Sequence, residues 1–310
     1  MPEHILVPLD GSRIAETAVV HAAALARLFS ARVTLARVPE NMVVPVASGG
    51  VWITKVVESE DAARESEQYL GDLARSEHFE GVHVDWTTPD YPVVEGLVDA
   101  IASHGADLVV MASHGRTGAG RWIFGSVARK LLRILPAPLY VVRAPEAAFE
   151  DAEGFPLPGP PDYRHIVVPL DMSRDAEVAL DPAFALARAS GGQVHLVTVP
   201  TVPGYLKLVP ETAGAIPEAL MEAAAESEAY LTGLLPRLEH SGVTATADVE
   251  LLFAGGVSEG ILEHCAEHTA DVVVLSTHGR GGLQRWLLGS VAERLLETSP
   301  IPVWLNRAEG

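Results

Sequence analysis

The residues of this chain best suited to chemistry occur twice. Asp10 closes an apolar run, and far downstream Gly115 is followed after nine residues by Gly125 and Ser126. The set returns as Asp171, then Gly279, nine residues, Gly289 and Ser290. An acidic residue and a glycine-serine loop, each at the carboxyl end of a predicted strand, are the parts from which an open α/β sheet builds a nucleotide site. The stretch Gly115, Arg116, Thr117, Gly118, Ala119, Gly120 carries little side-chain bulk, so its main-chain amides can close on phosphate oxygens. Gly125-Ser126 and Gly289-Ser290 then open helices whose unpaired amides and positive dipole ends favour an anion, with the serine hydroxyl as one more donor.

Other chemistries are thinly supported. Asp10 and Asp171 have two roles open to them, capping the first helix of each copy or touching a ligand, and the two can coexist. Arg116, Arg121, Arg280 and Arg285 lie in or beside the loops, where guanidinium groups offset phosphate charge or simply face solvent. Trp122 and Trp286 share a motif position suited to packing. His114 and His278 precede the motif glycine with no carboxylate or nucleophile evident as a catalytic partner. His264 and His268 stand four apart on one helix, a spacing compatible with a metal, but the sequence identifies no third ligand and no metal site is assigned. Cys265, the single cysteine, falls on an apolar helical position and reads as an inert buried thiol. There is no glycine-lysine-serine phosphate loop, and Asp10-Gly11-Ser12-Arg13 is not a dinucleotide fingerprint.

The elements that must hold these residues follow from the repeat. A chain of 310 residues is long enough for two domains of ordinary size. The stretch from His4 to Asp10 aligns with the one from His165 to Asp171 at an offset of 161, and Trp122 aligns with Trp286 at 164, so three extra residues enter between Leu231 and Val257. The expected domains are 1–146 and 163–310, joined by an acidic, proline-rich linker over 147–162. In the first copy apolar, β-rich runs at His4 to Leu9, Arg32 to Val38, Val82 to Thr87, Ala106 to Ala112 and Ala137 to Val142 alternate with helical periods. The helices are expected near Ala15 to Phe29, Ser59 to Ser76, Val93 to His104 and Ser126 to Leu135, and in the second copy near Asp175 to Ala189, Pro217 to Glu239, Val257 to His268 and Ser290 to Glu297. This pattern predicts an α/β fold of two repeated, doubly wound domains, each a five-stranded parallel sheet of order 3-2-1-4-5 with helices on both faces. That order makes strands one and four neighbours, so Asp10 and Gly115 become two walls of one crevice, as do Asp171 and Gly279. The segments Pro39 to Val57 and Pro200 to Ile216 read as long loops, either lids, partner surfaces or unstructured excursions.

A formal charge of −19 repels nucleic acid and anionic membranes. No apolar run approaches the roughly 20 residues that span a bilayer, and the amino terminus lacks the pattern of a secretory leader. The expected location is cytoplasmic. The same charge opposes an anionic ligand, so a phosphate site here needs local compensation from amides, arginines or a divalent cation.

With Val-Pro-Leu-Asp at the first strand, the paired loops and Pro-Ala-Pro-Leu-Tyr-Val-Val near the last strand, the chain resembles the universal stress protein family in its tandem, nucleotide-binding form. The family motif is Gly, two residues, Gly, nine residues, Gly, then Ser or Thr; both copies match from the second glycine onward, with Ala112 and Ser276 at the first. The resemblance implies ATP, with or without Mg, held with adenine near Val38 and Val199. Ribose and phosphates would lie near Pro8 and Asp10, or Pro169 and Asp171, and phosphates in loops formed by Gly115, Arg116, Gly118, Gly125, Ser126 and Val127, and by Gly279, Arg280, Gly289, Ser290 and Val291. It implies a nucleotide-responsive binding protein with slow or no turnover and an unidentified protein partner. The last strands would pair to form an internal pseudo-dimer, with a further homodimer left open. Two rival readings stand beside it: a slow Mg-dependent ATPase or phosphotransferase, and an interaction module with degenerate sites.

Overall fold

The computed structural model describes residues 1–39, 42–48, 51–57, 59–113, 125–135, 137–144, 155–159, 161–201, 215–251, 256–277 and 288–307. Met1 aside, the chain divides into two compact units, Pro2–Ala137 with Ala144–Pro160, and Pro138–Arg143 with Pro161–Gly310.

The first unit runs β1 (His4–Pro8), α1 (Arg13–Phe29), β2 (Arg32–Ala36), β3 (Met42–Ser48), β4 (Val51–Val57), α2 (Glu60–Ala74), a short 3₁₀ turn at Glu77–Phe79, β5 (Val84–Thr87), α3 (Val93–His104), β6 (Leu108–Ala112) and α4 (Ser126–Ile134). Its main sheet has the order β6-β1-β2-β5, all parallel. The unbroken apolar run of β1 is what a strand covered on both faces requires, and Ile5, Leu6 and Val7 are fully buried. Burying each such side chain stabilises the fold by roughly 1.5–3 kcal/mol. Helix α1 covers the sheet with Ala18, Val19, Ala22, Leu25 and Ala26. It stops at Ser30, which turns left-handed (φ +56°) and bonds its N–H back to the Ala26 carbonyl.

The segment Pro39 to Val57, expected as a loop, is instead an antiparallel hairpin in which Met42 pairs with Val57 and Ser48 with Val51. Its valine-rich arms and the Gly49-Gly50 step between them are a hairpin pattern, and Pro45 is tolerated because a two-stranded ribbon has only edges. Part of the proline-rich linker is also more than a spacer: Phe155 and Ala144 are buried against Ile14, with Leu157 packed beside them.

The second unit contains β7 (Leu139–Val142), β8 (His165–Pro169), α5 (Arg174–Glu177), α6 (Leu180–Ser190), β9 (Gln193–Thr198), α7 (Ala215–His240), β10 (Thr244–Val249), α8 (Val257–Glu267), β11 (Val272–Ser276), α9 (Ser290–Thr298) and β12 (Val303–Asn306). The sheet order is β10-β9-β8-β11-β12-β7, so the second copy's own strands lie in the order 3-2-1-4-5. Strand β7, the last of the first copy, covers the edge of β12 antiparallel, with Tyr140 opposite Trp304. The Tyr140 and Trp304 rings meet edge to face at 5.9 Å, and the buried Tyr140 and Tyr163 hydroxyls lie 3.2 Å apart.

Two departures from the repeat have sequence causes. The single helix expected over Asp175 to Ala189 is split into α5 and α6, because Pro182 has no N–H to offer the Val178 carbonyl and fits only the first turn of a new helix. The three extra residues can also be placed more narrowly. Ala36 pairs with Thr87 and Val197 with Asp248, so the offset of 161 persists to Asp248, whereas α3 and α8 start at Val93 and Val257. The insertion lies between those points. No helix among the described residues is long and apolar enough to cross a membrane.

Candidate functional site

The first wall of each crevice is a turn just past the carboxyl end of the first strand. In the first unit Ser12 donates to Asp10 Oδ1 through both its N–H (3.0 Å) and its hydroxyl (2.6 Å), while Ser12 Oγ accepts from the Ala15 N–H at 3.1 Å. The second unit repeats this with Ser173, Asp171 and Ala176 at 3.0, 2.6 and 3.1 Å. The helix cap is therefore the serine, and each aspartate acts one step back by fixing the cap. Between aspartate and serine the backbone turns left-handed in both units, at Gly11 (φ +81°) and Met172 (φ +66°). Glycine adopts this freely; methionine does so against the strain of its Cβ.

The facing wall follows the fourth strand. Strands β1 and β6 are parallel neighbours, with Ile5 beside Leu108, as are β8 and β11, with Ile166 beside Val272. The Asp10 turn and Ser113 thus emerge at the same end of the sheet, as do the Asp171 turn and Thr277. The Gly125 N–H donates to the Ser113 carbonyl at 2.9 Å, and the Gly289 N–H to the Thr277 carbonyl at 2.9 Å. Each bond fastens the neck of the loop to the helix that follows. At Gly289 a Cβ would stand 3.3 Å from the Thr277 oxygen, so glycine permits the clasp. Neither α4 nor α9 has a side-chain cap, because the capping positions are these glycines. Their first amides face the crevice end of the sheet, with Ser126 and Ser290 exposed beside them.

Ala112 and Ser276, where the motif has its first glycine, are the buried last residues of β6 and β11. Their extended backbone needs no glycine. Gly115, Arg116, Gly118, Gly279 and Arg280 lie outside the described residues, as do His114, Arg121, Trp122, His278, Arg285 and Trp286. Pro8 is buried, and Val38, Val127, Pro169, Val199 and Val291 are partly covered around the two turns and helix starts.

A third wall escaped the sequence reading. Arg37, 7% exposed, lays its guanidinium against the Gly11 turn, where a Cβ would meet Arg37 Cζ at 2.9 Å. The same guanidinium sits 5.0 Å over the Tyr69 ring and 3.6 Å from Glu65 Oε1, a cation held by a π face and a carboxylate. The Tyr69 hydroxyl donates to Glu16 at 3.0 Å, and burial followed by the Glu16 charge raises the phenol's pKa far above its ordinary range. Tyr230 donates to Glu177 at 3.3 Å in the second unit and is raised for the same reasons. The position of Arg37 is taken there by Thr198, whose hydroxyl donates to the Leu170 carbonyl at 2.9 Å. The tyrosine and glutamate recur at the same offset of 161. Arg37 has no counterpart, so the repeat gave no signal for it. Cys265 is buried and its thiol is pushed up to about 12 by desolvation, which removes it from chemistry.

An open, mostly parallel sheet with helices on both faces, and with Asp-Ser turns and glycine-clasped helix starts at its strand ends, defines the class as a doubly wound α/β fold. The sequence pattern of the Universal stress protein family matches residues 1–143 and again 162–307. The chain belongs to that family, in tandem form. It is 28% identical over 308 residues to a universal stress protein of Mycolicibacterium smegmatis, covering 98% of this chain and 96% of that one. Its fold resembles the crystal structure of a universal stress protein from Archaeoglobus fulgidus, with a TM-score of 0.67 at 18% identity and 98% of each chain covered. A putative universal stress protein from Pseudomonas aeruginosa gives 0.64 at 17% identity, covering 99% of this chain and 93% of that one.

Proposed function

We propose that each unit holds one adenine nucleotide, ATP as its magnesium complex, and that the protein acts in the cytoplasm as a nucleotide-responsive stress regulator with little or no turnover. The observation that carries this reading is the duplicated pair of walls: an Asp-Ser turn and a clasped, uncapped helix start at neighbouring strand ends, repeated with the same bond lengths to 0.1 Å. Main-chain amides and hydroxyls so placed suit a polyanion. They hold charge and do not activate a water molecule, so binding is the activity. ATP would contact the loops from Gly115 and Gly279 and thereby shift the population of a partner-binding surface.

Titration calorimetry with Mg-ATP tests this on the native protein and on Gly115→Val/Gly279→Val, whose retained fold is checked by circular dichroism. The native chain should bind two equivalents and the variant should lose heat at both sites. Equal heats would remove the loops from the account, and turnover of labelled ATP abolished by Asp10→Ala/Asp171→Ala would replace the regulator with an enzyme.

A further inference from the structure

The second unit gathers imidazoles away from its crevice, between β9, β10 and α8. His264 is fully buried, and its Nδ1 lies 2.7 Å from Glu250 Oε1. A carboxylate can only accept, so in the neutral ring Nδ1 carries the proton and Nε2 presents a lone pair. That buried Nε2 has no hydrogen-bond partner among the described residues. His268 follows one turn later, with ring centroids 4.3 Å apart. From β9, His195 brings its ring to 4.7 Å from His268 and 6.3 Å from His264, and β10 adds Asp248. One ligand atom from each of His195, Asp248, His264 and His268 lies within 4.8 Å of all the others.

We propose that these four residues bind a divalent transition metal of the zinc class as a structural centre that ties β9, β10 and α8 together. Three imidazoles and one carboxylate make a full tetrahedral set, which leaves no open position for catalysis. Imidazole donors favour zinc, nickel or copper over magnesium and calcium, which require oxygen. Tetrahedral ligands at zinc distances stand about 3.3 Å apart, so small side-chain rotations close the cluster. The supporting contacts are those a metal histidine needs. Glu250 fixes the His264 tautomer. Thr246 Oγ1 lies 2.9 Å from His195 Nδ1 and donates to Asp248 at 3.2 Å. The other nitrogen, His195 Nε2, is 3.1 Å from His165 Nδ1, which Gln193 Nε2 also approaches at 2.9 Å, so metal binding exchanges one of the two His195 contacts for the ion and keeps the other as its support. His268 and Asp248 are partly exposed, which gives the ion a way in.

The duplication supplies an internal control. At the matching positions the first unit has Thr34, Thr87 and Ala100, and only His104 is kept. There His4 donates through Nδ1 to the His104 carbonyl at 2.8 Å and accepts from Thr34 Oγ1 at 2.7 Å, so both its nitrogens are satisfied by protein. The fold does not require the cluster; the second unit has built it.

The test titrates full-length, chelator-stripped protein with Zn²⁺ against a chromophoric competitor, and with Co²⁺ for its visible spectrum. One tight equivalent per chain and the intense absorption of tetrahedral cobalt are expected. His195→Thr/His264→Ala, which installs residues the first unit already uses, should lose that equivalent and the spectrum, together with the zinc-induced rise in thermal midpoint. His4→Ala/His104→Ala should keep all three. A native protein without a tight equivalent, or an unchanged equivalent in His195→Thr/His264→Ala, would overturn the assignment. A circular dichroism spectrum matching the native one guards the variant against misfolding. Mg-ATP calorimetry on the same variant should be unaltered, which separates this site from the crevices.

Discussion

The first unit places a buried guanidinium where the second has a threonine hydroxyl, and the second places imidazoles where the first has a threonine and an alanine. The frame beneath these differences is shared. Turns, caps, clasps and the tyrosine-glutamate pair recur with nearly the same distances. What the pair of units teaches is where the fold is demanding. Main-chain hydrogen bonds at the strand ends must be satisfied in one way, and they are duplicated. Side chains lining the spaces between elements answer only to local packing and charge, and there the units have parted.

The largest consequence concerns acid stability. His21 in α1 is 5% exposed, and desolvation pushes its pKa down to about 4; the matching residue in the second unit is Pro182, which does not titrate. An unfolded histidine titrates near 6.5. Between these values the unfolded chain holds more protons than the folded one, so stability rises with pH across the window. The contribution is fully present above about pH 6.5 and declines as the pH falls towards 4, by about 3 kcal/mol in all. Urea unfolding at about pH 7.5 and about pH 4 should show the native protein losing roughly that much more than His21→Leu. Matching losses in the two proteins would mean that the imidazole stays neutral in both states or charged in both.

The charge difference between the crevices gives the next effect. If each crevice holds a polyanion, Arg37 supplies the first with a charge-assisted contact that the second lacks. Such a contact contributes about 1.5–3 kcal/mol. Arg37→Thr, which copies the second unit, should weaken the first Mg-ATP site by roughly 10- to 100-fold in a two-site calorimetric titration, with the other site unmoved. An unaltered first site would reduce Arg37 to a brace for Tyr69 and Glu65.

The same division explains what could be read from the chain alone. The strands, most helices, and the turns and helix starts at the strand ends were legible because apolar period, glycine placement and the aspartate turns are local signals, and because each was written twice. Ser12 and Ser173 were visible as a repeated pair, but their capping role depends on which oxygen reaches which amide, and sequence does not carry that. Arg37 and the His195–Asp248 partnership were hidden for a different reason. Each appears in one copy only, and the partners of His264 sit on two separate strands, 16 and 69 residues away. The hairpin over Met42–Ser48 and Val51–Val57 has a signal in Gly49-Gly50, but a glycine pair inside a long apolar segment marks a loop as readily as a hairpin turn.

The smallest effect tests whether the duplicated turn is a demand of the frame or a relic. Met172 holds φ +66° where the first unit has Gly11 at +81°, and a Cβ in that region costs about 1–2 kcal/mol. Glycine would remove the strain but adds about 0.5–1 kcal/mol of unfolded-chain entropy. Met172→Gly should therefore stabilise the second unit by about 0.5–1 kcal/mol. The reverse change is not its mirror image. Gly11→Met meets the same strain, and its Cβ would also stand 2.9 Å from Arg37 Cζ, so it must displace the guanidinium from Tyr69 as well. Thermal unfolding of the two variants should move in opposite directions, with the larger shift in Gly11→Met. If Met172→Gly were neutral or harmful, the methionine side chain would be contributing packing that offsets its backbone strain. The second turn would then be held by that side chain in addition to the hydrogen bonds of Asp171 and Ser173, which the first turn shares through Asp10 and Ser12.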